Sequence, residues 1–405
     1  MNTAIAAAVA AFGPGPFTEE RLARHIRPLF SRTLATPGIY LANHSLGRPL
    51  DCTEEDLREG FQLWQAKLGS AWDDWLQAEQ EHRKRLAELI HAPQPDCIVP
   101  KTSAGQGLRT VLNALPGTPR VVSTTAEFDS IDVILKQYAA VGRIALTTVG
   151  CHTPDGALDL EPLRAAIARG TDLVIVSQVL FMTGELVADL HALAVHCHSN
   201  DARLLVDAYH AIGAVPVDVA AMGADFMIGG SYKYLRGGPG ACFLYLSPAA
   251  LASGLRPLDI GWFAKAKPFF YERPDPPQFA SGGDGYLEST PPVLTYYQAR
   301  AGQQLTLLLG VPRIRAWSLK LQTRLLDYLV DEGVSKKDVA IRGGDEGHGA
   351  FLALEHEEAA AFAECLEKRG VVADARSRWL RLCPDYLTTD DELRRAARAV
   401  AECRP

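Results

Sequence analysis

Short apolar runs punctuate the middle of the chain: "RVVST" (120–124), "RIALTTV" (143–149), "DLVIVSQV" (172–179), "RLLVDAY" (203–209), "DFMIGG" (225–230) and "ACFLYLS" (241–247). Between them lie stretches with helical spacing, such as 160–169 and 189–199. This alternation predicts βαβ units, and therefore an α/β fold with a mostly parallel sheet flanked by helices. Residues 53–92 are dense in Glu, Gln, Leu and Ala and predict helix, interrupted at "GSAWDDWL". The stretch 268–292, rich in Pro, Gly and aromatics, predicts a long functional loop. After it, 293–332 predicts one long helix leading into a smaller α+β region that ends in "DELRRAARAVAEC". The expected organisation is an N-terminal arm over 1–60, a large domain over 61–295 and a small C-terminal domain over 296–405.

Composition narrows the class without naming a partner. Apolar residues make up 47% and charged residues 22% of the 405, the balance of a folded globular protein. A net charge of −7 offers no basic face for nucleic acid. No apolar run approaches the length that spans a bilayer, about 20 residues, so no membrane partner is expected. The Ala-rich start "MNTAIAAAVAAFGPGPF" lacks the basic segment of a secretory signal. Eight cysteines are scattered without a C-x-x-C pair, so neither a zinc site nor a dense disulfide framework is indicated, and a reducing, cytoplasmic setting is the simpler expectation. His191, His196 and His198 cluster in sequence, but a helical face would scatter them, so no metal is expected.

In open sheets of this type ligands bind beyond the carboxyl ends of the strands, which directs attention to the residues just after each apolar run. Asp207 ends "RLLVD", His210 follows in the turn, and Lys233 comes one strand later in "IGGSYKYLRGGPG". Taken alone, Asp207 is more often a turn or capping residue, and His210 more often a structural histidine. The set is more specific. A lysine desolvated among aromatic neighbours has a depressed pKa and can form a Schiff base with a carbonyl. Pyridoxal phosphate needs such an amine, an acid to keep its pyridine nitrogen protonated, and donors for its phosphate.

The segment "LLVDAYHAIGAVPVDVAAMGADFMIGGSYKYLRGGPGACFLYLS" resembles the cofactor-binding core of kynureninases and, more broadly, of the class V aminotransferase group of fold-type I pyridoxal phosphate enzymes. The resemblance extends to "YLANHSLGRP" (40–49), "LDIGWF" (258–263), "STPPVL" (289–294) and "GVVADARSRWLRLCPDYL" (370–387). It implies a seven-stranded, mostly parallel sheet in the large domain and an α+β small domain. It also implies Lys233 as the Schiff-base lysine, Asp207 as partner of the pyridinium, His210 near the phenolic oxygen or phosphate, and Tyr232 as a phosphate ligand. Phe128 would stack on the cofactor ring, Ala104 and Gly105 would offer backbone N–H groups at a helix start, and Ser177 would join the cofactor-binding set. Trp262 and Thr290 match positions that reach a cofactor phosphate across a subunit interface, implying a homodimer with shared sites. Arg381 matches the arginine that pairs with the α-carboxylate of a small amino-acid substrate, and Asn43 and Ser45 would line the substrate mouth.

The implied activity is hydrolysis of an aryl-keto amino acid to alanine and an aryl acid, with transamination or β-elimination of another amino acid on the same scaffold, or a non-catalytic role, as alternatives. Departures from the kynureninase pattern spare the lysine and the aspartate. They fall in the Asn-His-Ser of the entry motif (43–45), in "FDSID" with Ile131 and Asp132 after the stacking Phe128, at Arg236, at Lys265 and in "VSQVLFMTG" (176–184), so the expectation is intact cofactor chemistry with an altered or relaxed substrate preference.

Overall fold

The computed structural model describes residues 2–334 and 340–404. Its strands in chain order are β1 (Ile39–Tyr40), β2 (Ile98–Lys101), β3 (Arg120–Thr124), β4 (Ala145–Val149), β5 (Leu173–Ser177), β6 (Arg203–Asp207), β7 (Phe226–Gly230) and β8 (Cys242–Leu246). Then follow β9 (Ile341–Arg342), β10 (Leu352–Glu355), β11 (Val371–Val372), β12 (Asp374–Arg376) and β13 (Trp379–Leu382). The large sheet has seven strands in the order β2-β8-β7-β6-β5-β3-β4. Only β8 runs antiparallel to its neighbours, so the expected mostly parallel sheet is present. All six apolar runs become strands. The seventh, β2, is four residues long and carries a proline, and its pattern is too brief to stand out.

Such a sheet must be covered on both faces. One face packs Val174, Val176, Leu204, Val206 and Met227 against helices Trp72–Leu89 and Leu190–Ser199. The other packs Leu173, Ile175, Leu205 and Ile228 against helices Ala104–Ala114 and Asp129–Ala140. Adjacent residues of one strand thus point to opposite faces and both are buried, which is why these strands read as continuous apolar runs.

The C-terminal part holds a four-stranded antiparallel sheet, β12-β13-β10-β9. The N-terminal arm joins it. Ile5, Phe12, Phe17, Ile26 and Phe30 share one core with Trp317, Leu321, Phe362, Leu380 and Val400, and β1 pairs with β11. The single helix expected over 293–332 is two, Leu294–Leu309 and Val311–Asp331. Gly310 adopts φ +82 and Pro312 follows; the positive φ ends the first helix, and proline in the first turn starts the second. Cys365 and Cys403, 38 residues apart, form a disulfide between helices Ala359–Lys368 and Asp390–Cys403. No pairing was foreseen, because only helix packing brings these two together. Among the described residues no helix is long and apolar enough to cross a membrane, and no group of three His, Cys, Asp or Glu side chains could hold a metal.

Candidate active site

The carboxyl edge of the large sheet gathers most of the expected residues. Ser177 and Asp207 end β5 and β6 and stand directly opposite each other. Lys233 follows β7 in a turn held by hydrogen bonds from Ser231 N–H to the Ala241 carbonyl and from Gly237 N–H to the Ser231 carbonyl. The turn is also clasped by the N-terminal segment. Gly47 N–H donates to the Tyr232 carbonyl at 2.8 Å, and a Cβ at Gly47 would lie 1.9 Å from the Lys233 carbonyl oxygen, so only glycine permits this approach.

Lys233 is 6% exposed. Its Nζ lies 2.7 Å from His210 Nε2 and 5.6–5.9 Å from the ring centres of Phe128, Tyr209 and Tyr232. Burial pushes the Lys233 ammonium well below its ordinary value, against the pull of the Asp207 carboxylate. Asp207 is displaced the other way: burial raises it, while the Tyr209 N–H at 2.9 Å and Lys233 oppose the rise. Burial, and then the charge of Lys233, hold His210 far below the usual imidazole range. As the ammonium, Lys233 Nζ can only donate, so Nε2 of the neutral imidazole accepts; the histidine proton then sits on Nδ1, which is buried without a partner among the described residues.

A second carboxyl group lies nearby that sequence reading passed over. Glu127 is 4% exposed; the hydroxyls of Ser177 (2.6 Å) and Thr124 (2.7 Å) donate to it. Burial pushes it up to about 7, with Asp207 adding to the rise. Its only sequence signal is its place beside Phe128.

Arg381, 3% exposed, stands on β13. Its Nε (2.7 Å) and Nη2 (2.5 Å) grip Asp374 of β12, and Nη1 donates to the Phe181 carbonyl. Asp374 also accepts from Ser45 Oγ (2.5 Å) and His44 Nε2 (3.2 Å). Burial opposes its ionisation, yet His44, Arg381 and Ser45 hold it well below the usual carboxylate range. Burial and Arg381 keep His44 neutral, down to about 3. Asn43 is buried and donates to the Cys383 carbonyl at 2.8 Å. Asn43 and Ser45 thus brace the arginine's strand and its partner, and His44 and Asp374 are additions to the expected set.

Ala104 and Gly105 begin helix Ala104–Ala114, whose Ser103 cap accepts only from Gln106 N–H. No acceptor among the described residues takes the Ala104 and Gly105 N–H groups. These free donors at a helix start suit an anion. Together with the desolvated Lys233 amine, the unpartnered His210 Nδ1 and the buried Asp207, they fit pyridoxal phosphate. Two expected residues lie apart from Lys233 within the chain. Trp262 packs on Phe263, Phe269 and Tyr271, whereas Thr290 lines a pocket with Thr102, Gln106 and Glu288.

Two departures also find their places. The buried Arg236 guanidinium donates to Tyr386 Oη (2.6 Å) and Asp385 Oδ2 (2.5 Å), and Lys265 donates to the Glu272 carbonyl. Arg236 therefore ties the Lys233 turn to the C-terminal segment.

Comparison with known proteins identifies the family. The family model "Aminotransferase class-V" matches residues 61–372, and the chain belongs to this family of pyridoxal phosphate-dependent enzymes. An uncharacterized aminotransferase, YcbU, of Bacillus subtilis is 28% identical over 335 residues, covering 82% of this chain and 86% of its own. The kynureninase of Pseudomonas fluorescens is 29% identical over 351 residues (84% and 82%). That of Geobacillus thermodenitrificans is 28% identical over 385 (91% and 88%). Among solved structures, the cystine C-S lyase C-DES in complex with cysteine persulfide superposes with a TM-score of 0.81 at 20% identity, covering 92% of this chain and 99% of its own. The cysteine desulfurase CsdA of Escherichia coli gives 0.78 at 18% (96% and 99%). At that identity these two speak for the fold alone.

Proposed function

We propose that this class-V aminotransferase family member is a kynureninase-type hydrolase. It would cleave the Cβ–Cγ bond of an aryl-keto amino acid, of the kynurenine or 3-hydroxykynurenine kind, with one water, giving alanine and an aryl acid. The observation that carries the reading is the buried Lys233 amine, 2.7 Å from His210 Nε2, on a chain of which two kynureninases match more than four-fifths.

Lys233 would hold the cofactor's aldehyde carbon, Asp207 its pyridine nitrogen and Phe128 its ring. Ala104, Gly105 and Tyr232 would hold its phosphate, with His210 and Ser177 at its polar edge. When bound, the cofactor supplies an electron sink for negative charge at the substrate Cα. The chain's own groups supply the rest. Desolvation favours a neutral Lys233 Nζ, the form that can take a proton from Cα, and His210 Nε2 aims it by accepting its hydrogen bond. Asp207 is a carboxylate placed to pair with a positive partner, and burial makes it seek one.

Arg381 orients the substrate. Three of a guanidinium's five N–H groups point at Asp374 and Phe181, which leaves two for the α-carboxylate. Held by Asp374, the arginine is pre-organised and loses little freedom when substrate binds. The proposal includes a homodimer, in which Trp262 and Thr290 serve the site of a second copy. The exposed Phe270 and Tyr271 beside Trp262 are apolar surface that such an interface would cover. It also divides the chain at 60/61 and 295/296.

The test is incubation of cofactor-loaded protein with kynurenine and with 3-hydroxykynurenine, followed by assay for alanine and for anthranilate or its hydroxylated counterpart. Absence of products from both rejects the hydrolase. The similarity to YcbU favours transamination as the second reading, and conversion of the cofactor to its pyridoxamine form by an amino donor would establish it. Lys233→Ala should remove the visible absorption of the lysine-bound cofactor in either case.

A further inference from the structure

Helix Trp72–Leu89 carries Asp74, Ala78, Glu81 and Arg85 at spacings of three and four, so the four side chains share one face. That face borders a cavity of about 320 Å³, completed by Glu59 and Leu63 of helix Thr53–Lys67 and by Tyr297 and Arg300 of helix Leu294–Leu309. None of these residues belongs to the Lys233 site. Every carboxylate that lines the cavity has a cation of its own: Glu59 pairs with Arg300 (2.5 Å), Asp74 with Lys67 (2.7 Å) and Glu81 with Lys84 (2.7 Å).

Arg85 differs from its neighbours. Among the described residues no carboxylate pairs with it, and it makes one hydrogen bond, from Nε to Gln303 Oε1 at 3.0 Å. Its Nη1 and Nη2 bond to none of the described residues and are not sealed off by burial, so they are accessible where Arg85 lines the cavity. Burial nevertheless pushes the guanidinium down to about 10, with Arg300 adding to the fall and Glu81 opposing it. A cation taken this far out of water gains more from an anion than an exposed one does. Gln303 fixes its direction. That amide is fully buried, its oxygen faces Arg85, and its Nε2 meets Ser231 Oγ (3.0 Å) and His82 Nδ1 (3.1 Å). With both ends of the amide engaged, the Nη edge of Arg85 is held ready for a ligand.

We propose that this cavity binds a small organic monocarboxylate, whose two oxygens accept parallel N–H groups from Arg85 Nη1 and Nη2. Charge selects the ligand. One unpaired guanidinium balances one carboxylate, and its fork matches the carboxylate's geometry. A phosphate near neutral pH carries a greater negative charge, and it would stand among Glu59, Asp74 and Glu81 with no second unpaired cation on the cavity wall. Leu63, Ala78 and the ring of Tyr297 pack together beside Arg85, so an apolar or aromatic tail on the acid would bury against them. The site is independent of the reaction proposed at Lys233.

Calorimetric titration of cofactor-loaded protein with 3-phenylpropionate, which has no amine to react with the cofactor, tests the site at constant ionic strength. The parent should bind it saturably, and inorganic phosphate should bind about tenfold more weakly or worse. Arg85→Gln removes the charge, and Ala78→Phe fills the cavity while leaving Arg85 in place. Each should weaken binding by about tenfold or more, the worth of one charge-assisted hydrogen bond, whereas Arg381→Gln should leave it within about twofold. Absence of saturable binding to the parent overturns the site, as does phosphate binding as tightly as the carboxylate. Unchanged affinity in either cavity variant whose circular dichroism matches the parent's also overturns it. Loss in Arg381→Gln with retention in Arg85→Gln would put the carboxylate at the Lys233 edge and overturn the site equally.

Discussion

Arg236→Asn separates a structural role from a role in substrate choice. The sequence counts Arg236 among the departures that imply an altered or relaxed substrate preference, and asparagine is a residue that tolerates a positive φ. The structure gives Arg236 a packing role whose loss can be worked out. Arg236 is 3% exposed, pairs with Asp385 at 2.5 Å, and lies 4.4 Å from the Tyr386 ring and 5.3 Å from that of Phe30. Although burial opposes both charges, Arg236 and Arg48 hold Asp385 down to about 2, and Tyr386 and Asp385 hold Arg236 above its ordinary value. Removing one member of a buried pair costs about 3–5 kcal/mol, here toward the lower end because Arg48 still holds Asp385 at 2.5 Å. Lost contact with the two rings adds about 1 kcal/mol. Against this, Arg236 sits at φ +57, where a side chain other than Asn or Gly is strained by about 1 kcal/mol. The net loss is about 3 kcal/mol. At about 2.1 cal/mol/K per residue, the 405-residue chain should lose about 3–4 °C of Tm. Differential scanning calorimetry reads this, and the ratio of kynurenine to alanine affinity, measured on the same samples, should stay within about twofold. An unchanged Tm with a shifted ratio would refute the reasoning.

His82 is fully buried, contacts Gln303 through Nδ1, and is held down to about 3 by burial and Arg85. The unfolded chain therefore binds one more proton between pH 6.5 and 3, so stability falls with falling pH by about 1.4 kcal/mol per unit. In urea unfolding, His82→Gln should flatten the slope between pH 4 and 6 by that amount, and an unaltered slope counts against the assignment. Glu127 has the opposite sign: raised to about 7, it contributes stability below pH 4.5 that is lost as pH rises to 7. The stability of Glu127→Gln relative to the parent should accordingly improve by up to about 3 kcal/mol across that window, and a flat difference would show that Glu127 is ionised throughout. In Gly47→Ala the new methyl group meets the Lys233 carbonyl, so cofactor affinity, followed by fluorescence during dialysis, should fall at least tenfold; full retention would mean that the turn yields.

The cofactor half of the site was legible because its residues lie at strand ends that follow one another in sequence. Asp207, His210 and Lys233 fall within 27 consecutive residues, and the period of the sheet brings successive strand ends to one edge. Short range also explains why helices 53–67 and 72–89 could be read with their break at "GSAWDDWL". The failures are long-range. Ser45 meets Asp374 across 329 positions, and Arg236 meets Asp385 across 149. No local pattern marks either pair, so Arg236 looked like an anomaly of the lysine turn when its cause lay in the C-terminal segment. The antiparallel course of β8 was equally hidden, since an apolar run carries no direction.

The substrate half is less legible for a related reason, and Asp374 makes it clear. This carboxylate joins three segments: His44 and Ser45 near the N-terminus, Arg381 on the neighbouring strand, and, through Arg381, the Phe181 carbonyl in the turn after β5. Each segment alone has an ordinary polar or apolar composition. What they build is the mount of Arg381 on the small sheet, whose position over the Lys233 edge depends on how the small sheet docks. A chain can keep every residue of the cofactor motif and still depart from its relatives in substrate, and that is the pattern of departures seen in "VSQVLFMTG".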